Sequence, residues 1–192
     1  MSQEILPGFY RIEVPLAGNP LKSVNSYLIR SGERPLIIDT ALNRPACKEW
    51  LLKELEALGV DPAGADFFLT HRHGDHRGLV SSMAGATSKV YIGQVEIDFI
   101  RAFGYGESRI SGEAIRNGFL RREFEEAFRN PQGRPDSLSI ELNYQALKEG
   151  DVLSIGDYRF RCIETPGHSP GHLCLYEPEN KLLVAGDHLL GR

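Results

Sequence analysis

Residues Thr70 to Gly78 run Thr-His-Arg-His-Gly-Asp-His-Arg-Gly, so four metal-ligating side chains, His71, His73, Asp75 and His76, fall within six positions. Imidazole nitrogens and a carboxylate oxygen are the donor set that suits zinc and its first-row neighbours. All six histidines of the chain lie either in this segment or near the C-terminal end, as His168, His172 and His188. Histidines scattered over a surface would not cluster that way. The segment follows a short apolar strand at residues 66–69. Ligands on the loop that leaves a strand and enters a helix are held by the sheet yet exposed at its rim.

His71 and His73 are two apart, so on an extended segment both imidazoles project to one side and can share one metal. Gly74 lets the backbone turn without steric cost, and a helix starting there aims Asp75 and His76 at a second position beside the first. Two metals about 3.5 to 4 Å apart form a hydrolytic centre. His168 lies in Thr165-Pro166-Gly167-His168-Ser169-Pro170-Gly171-His172. Proline and glycine on both sides fix a rigid turn, which suits a ligand that is presented rather than packed, and His168 is the third imidazole for the first metal. His172 is assigned an orienting or structural role. Asp187, in Gly186-Asp187-His188 at the end of the last strand, is the natural bridging carboxylate, because one aspartate can give an oxygen to each metal. His188 would face the other way and is left out. Asp39 ends another apolar strand at the same rim. It is read either as the carboxylate that accepts from the far ring nitrogen of a ligating histidine or as a helix or turn cap.

The rest of the chain reads as one globular domain over residues 1–192. Strands are predicted over residues 9–14, 24–29 and 35–39 as a meander, then an amphipathic helix over 44–58 on the spacing of Cys47, Leu51, Leu55 and Leu58. A strand over 89–92 and a helix over 94–103 follow. A helical insertion occupies about 104–143, with Ile115, Phe119, Leu120, Phe124 and Phe128 on one face of a helix over 111–129. That stripe is either core or a lid over the metal site. Strands return over 146–148, 151–155, 158–163, 172–176 and 181–185.

The formal net charge of −4 argues against a dedicated nucleic-acid surface. Cys47, Cys162 and Cys174 are an odd number without a Cys-x-x-Cys pair, and no charged-then-apolar leader opens the chain. A disulfide framework and secretion are therefore not expected, and the expected compartment is the cytoplasm. No apolar run approaches the ~18 residues of a membrane span.

With these motifs in place, the chain resembles the metallo-β-lactamase-fold hydrolases. The match rests on His-x-His-x-Asp-His after a strand, Thr-Pro-Gly-His-Ser-Pro-Gly-His, Gly-Asp-His after another strand, and the upstream Asp39-Thr40. It looks most like the branch of glyoxalase II and β-lactamase-like protein 2. The resemblance implies an α/β architecture, an αββα sandwich of two sheets between helix layers, with a dinuclear zinc site at one edge. By the match, His71, His73 and His168 hold the first metal, Asp75 and His76 the second, and Asp187 bridges. Zinc, up to two ions, is the expected cofactor, with iron or manganese as alternatives. The family carries a further histidine for the second metal beyond the Asp187 position. Residues up to Arg192 do not supply it, so the second half of the sandwich is expected to be incomplete here and the chain to continue past residue 192.

The implied activity is a metal-bound hydroxide, oriented by Asp75, attacking a carbonyl of a small-molecule thioester, lactone, ester or lactam. The rivals are a ribonuclease or phosphodiesterase of the same fold, a mononuclear-iron persulfide dioxygenase, and a catalytically incomplete binding domain. The flavodiiron use of the fold needs a glutamate at His73 and is discounted. A homodimer is compatible with exposed strand edges.

Overall fold

The structure is a computed structural model that describes residues 2–19, 21–30, 33–103 and 142–190. The helix expected over residues 111–129, its aromatic stripe and most of the insertion lie outside the described residues.

The chain begins with a hairpin, β1 (Ser2–Leu6) and β2 (Phe9–Pro15), continues into β3 (Ser23–Ile29), and turns into β4 (Leu36–Ile38). These four pair antiparallel in sequence order. The sequence reading of three strands missed β1, because Ser2–Leu6 is a short edge strand with no buried position and so carries no apolar alternation. Helix α1 (Pro45–Ala57) opens with proline at a first-turn position, where its missing N–H is not needed. It crosses over to β5 (Asp66–Phe68), which lies parallel to β4. The short helices α2 (Gly74–Arg77) and α3 (Val80–Met83) lead to β6 (Lys89–Gly93). Helix α4 (Gln94–Phe103) follows, and β7 (Asn143–Leu147) closes a seven-stranded sheet in the order β1 to β7. Strand β7 starts three residues earlier than the sequence suggested. Its polar Asn143 and Gln145 are held by ladder pairing with β6, not by an apolar face.

A second, four-stranded antiparallel sheet follows: β8 (Val152–Ile155), β9 (Tyr158–Glu164), β10 (Leu173–Glu177) and β11 (Leu182–Val184). Two hydrophobic layers hold the molecule together. In β4 and β5 successive side chains point to opposite faces and both faces are buried, which is why these strands read as unbroken apolar runs. Ile37 and Phe67 face the helix layer with Leu51, Leu55 and Ile97, whereas Leu36, Ile38 and Phe68 face Phe160, Leu173 and Leu175 of the second sheet. Truncating one of these fully buried side chains, such as Leu51 to alanine, costs about 2–5 kcal/mol.

The described residues therefore form helix, sheet and sheet layers. The outer face of the smaller sheet is open at Val152, Arg159 and Arg161. No helix of the described residues is long and apolar enough to cross a membrane. All three cysteines are free and buried, and burial pushes the Cys162 thiol up to about 12.

The topology fixes where chemistry can gather. Because β4, β5 and β6 are parallel neighbours, the residues that follow their C-terminal ends meet at one rim of the sheet, where open α/β sheets place their ligands. The β9–β10 loop and the residues after β11 reach the same rim. A bond from the Leu173 N–H to the Thr70 carbonyl at 2.9 Å ties the two sheets together there.

Candidate metal centre

Strand β4 ends at Ile38, and Asp39 takes a left-handed backbone with φ of 52°. Aspartate tolerates this region better than most residues, and such strain is characteristic of functional sites. The turn aims the Asp39 carboxylate across at the end of β5. There Oδ1 accepts from the Thr70 N–H at 2.9 Å, while Oδ2 accepts from the Thr70 hydroxyl at 2.8 Å and from His76 Nδ1 at 2.8 Å. The Thr70 hydroxyl is 3.1 Å from His71 Nδ1. One buried carboxylate thus orients two imidazoles, His76 directly and His71 through a threonine.

Residues 70–72 are bent and are not a continuation of the strand, so the extended segment expected for His71 and His73 is corrected: β5 stops at Phe68. The bend still brings the rings together, with centroids 4.5 Å apart at 81°. Gly74 opens α2, which carries Asp75 and His76. His168 sits in the β9–β10 loop, its Nε2 2.9 Å from His73 Nδ1. Asp187 lies in a 3-10 turn, Gly186–His188, after β11 and not at a strand end as the sequence suggested. From there Oδ1 is 3.2 Å from His76 Nε2 and Oδ2 is 3.2 Å from His168 Nε2. One carboxylate spans two groups of imidazoles.

Among the described residues, two sets of donor atoms are close enough to hold an ion: His71, His73 and His168, and His71, His76 and Asp187. Asp75 belongs to neither set. Its Oδ2 stands 3.9 Å from His76 Nε2, at the edge of the second set. His172 is fully buried, with Nδ1 2.8 Å from the Thr165 hydroxyl and its ring 5.2 Å from that of His71. His188 is exposed, its ring 6.3 Å from that of His172.

The donor chemistry fits a metal. His71, His76 and His172 each bury an Nε2 atom with no hydrogen-bond partner, an arrangement that is expensive unless something else satisfies the nitrogen. His76 Nε2 approaches Asp187 at 3.2 Å without the alignment of a hydrogen bond. Burial, reinforced by the neighbouring imidazoles, drives His71 far below the ordinary histidine value. It lowers His73 in the same direction, with His168 adding to the effect. These rings are neutral and keep a lone pair, as a ligand requires. His76 behaves differently. Burial acts to lower it, but the Asp39 and Asp187 carboxylates outweigh burial and push it up to about 10. A positive charge is thus favoured between these two carboxylates. His172 falls to about 4, chiefly through burial.

Two supporting residues escaped the sequence reading. Thr70 had no signal, since its partner Asp39 is 31 residues away. Glu96, buried in the first turn of α4, had none either, because its partners come from loops 24 and 73 residues distant.

A two-sheet sandwich with imidazoles and carboxylates converging at the strand ends defines a metal-binding class of α/β proteins. The chain belongs to the metallo-beta-lactamase superfamily, whose family model matches residues 19–192. It is similar to the acyl-coenzyme A thioesterase MBLAC2 of Gallus gallus, at 30% identity over 168 residues, covering 85% of this chain and 56% of that protein. It is also similar to the atrochrysone carboxyl ACP thioesterase nsrC of Aspergillus novofumigatus, at 27% identity over 195 residues, covering 98% and 46%. The crystal structure of a metallo-beta-lactamase family protein from Thermus thermophilus superimposes with a TM-score of 0.77 at 29% identity, covering 98% of this chain and 62% of that one. The chain spans about half the length of these curated relatives.

Proposed function

We propose that this chain carries the metal-binding part of a zinc-dependent hydrolase that acts on a small-molecule carbonyl substrate, with a thioester as the foremost class. The observation that carries the reading is the set of buried, unpartnered imidazole nitrogens converging on a carboxylate that faces both groups of histidines. His71, His73 and His168 would hold one ion. Asp75, His76 and Asp187 would contribute to a second. Bound zinc supplies Lewis acidity, lowering the pKa of water to about 7 and polarising a carbonyl oxygen.

The chain's own residues supply the rest. Asp39 and Thr70 orient His76 and His71 by accepting hydrogen bonds from their Nδ1–H groups, which leaves each Nε2 facing the cluster. Asp75, with a partly exposed carboxylate at the edge of the second group, is placed to accept a proton from the attacking water. His168 is 37% exposed and marks the open side from which a substrate reaches the cluster. The two thioesterase relatives favour a thioester over a lactam. The acidic charge disfavours a nucleic-acid substrate. Three buried free thiols fit a reducing compartment such as the cytoplasm.

The test is elemental analysis of the complete protein together with a panel of acyl-coenzyme A, lactone, nitrocefin and bis(p-nitrophenyl) phosphate substrates. Zinc near two ions per chain is expected, with acyl-coenzyme A hydrolysis lost on chelation and restored by zinc. Turnover that survives both chelation and Asp187→Ala would sink the proposal, and preference for the phosphodiester would redirect it to a nuclease.

A further inference from the structure

Glu96 is a fully buried carboxylate to which the metal-centre reading gives no role. Its Oε1 accepts from the Ser169 hydroxyl at 2.5 Å and from the Gly171 N–H at 2.7 Å. Its Oε2 accepts from the Arg72 N–H at 3.1 Å and from Arg72 Nη1 at 3.0 Å. Arg72 Nη1 also donates to the Ser169 hydroxyl at 2.5 Å. The guanidinium lies 3.8 Å from the centre of the Phe99 ring, one turn further along α4.

Each group bound by Glu96 stands beside an imidazole of the three-histidine set. Arg72 lies between His71 and His73, and Ser169 follows His168 directly. A carboxylate that only secured its own helix would need partners from one neighbouring segment. This one joins two ligand-bearing loops that are 97 residues apart in the chain at Arg72 and Ser169. The packing leaves those loops little room to slide. A Cβ on Gly93 would strike the Gly171 carbonyl, and one on Gly171 would lie 2.9 Å from both the Glu96 nitrogen and the Val95 Cβ. The bonds described for the His73 and His168 rings run to each other and, for His168, to Asp187. Their separation therefore depends on how the loops beneath them are held.

We propose that Glu96 is the positioning residue that holds the His71–His73 loop and the His168 loop in the register at which their three imidazoles converge. The inference rests on the reading of this cluster as a metal centre. Without the carboxylate, the Ser169 hydroxyl and the Gly171 N–H lose their acceptor, and Arg72 keeps a part-buried charge with no counter-ion. The His168 loop is then free to move away from His73. The Asp39, His76 and Asp187 end, built from other bonds, stays in place.

The test compares the complete wild-type protein with Glu96→Gln, Glu96→Asp and Ser169→Ala, which removes only the hydroxyl bonded to Glu96 and Arg72 and serves if the Glu96 variants fold poorly. Two readouts are taken. Hydrogen exchange on metal-free protein is expected to show faster exchange in residues 70–73 and 167–172 of Glu96→Gln, with β4 and β5 unchanged. Zinc competition with a chromophoric chelator is expected to show an about 10- to 100-fold loss of affinity for the ion at His71, His73 and His168. Cobalt-substituted protein should show an altered visible spectrum, and Glu96→Asp should recover part of both. Unchanged exchange in the two loops overturns the positioning role, whether or not the protein binds metal. Unchanged affinity and cobalt spectrum in a folded Glu96→Gln protein overturns it as well. Wild-type protein that binds no zinc refutes the metal centre instead, and the exchange result then decides Glu96 by itself.

Discussion

The two ends of the histidine cluster are anchored in opposite ways. At the inner end, His71 and His76 are buried and share one carboxylate, Asp39, so their orientation is set before any ion arrives. At the outer end, His73 and His168 face each other at 2.9 Å near solvent, and the support lies beneath them in Glu96, Arg72 and Ser169. The inner end trades exposure for preorganisation, while the outer end keeps an open face. A site that must both hold an ion and admit a substrate needs both properties, and here they are separated in space.

The sharpest way to break the contrast is His71→Ala, since His71 belongs to both donor sets. Metal analysis should show both ions lost and hydrolysis down by about three orders of magnitude or more, in line with the loss of metal activation of water. Retention of one ion at full occupancy would mean that the two sets are independent. Next comes Asp39→Asn, which should weaken metal at the inner end by about 10- to 100-fold and leave the outer end bound, read by zinc competition. Equal weakening at both ends would show that the inner carboxylate governs the whole cluster.

Gly93→Ala forces a methyl group against the Gly171 carbonyl and should destabilise the fold by about 1–3 kcal/mol in urea unfolding while displacing the His168 loop. Wild-type stability would show that the junction is looser than its geometry indicates. The smallest effect is in pH. Burial acts to raise Glu96, but its bonds from Ser169, Arg72 and Gly171 outweigh burial and hold it below the ordinary value of 4.5. A group depressed in the folded state stabilises above its unfolded pKa, and that stability is lost as pH falls through the folded value. Wild type should therefore lose stability below about pH 4.5 more steeply than Glu96→Gln. Parallel acid profiles would count against the bonds described for Glu96.

The ligand segment was legible because chemistry fixed its residue types and a sharp turn fixed their spacing. His71, His73, Asp75 and His76 are local in sequence, and His168 and Asp187 carry flanking glycine and proline signals of their own. The buried strands β4 and β5 were legible as apolar runs. Strand β1 was not, because this edge strand runs three polar residues and then Ile5 and Leu6, without the apolar alternation that marks a half-buried strand. Nor was the separation of Asp75 from the tight donor sets, since it depends on how α2 leaves the loop.

By itself, the sequence determined which side chains could bind metal, which segments form apolar strands, and the family to which the chain belongs. Tertiary structure alone decided how the donors divide, with Asp187 facing both groups, Asp39 and Thr70 orienting the inner imidazoles, and Glu96 joining two loops beneath the outer ones. The physical reason is distance along the chain. Local spacing reports on turns and faces. A hydrogen bond between residues 31 or 73 positions apart exists only once parallel strands have brought their ends to one rim.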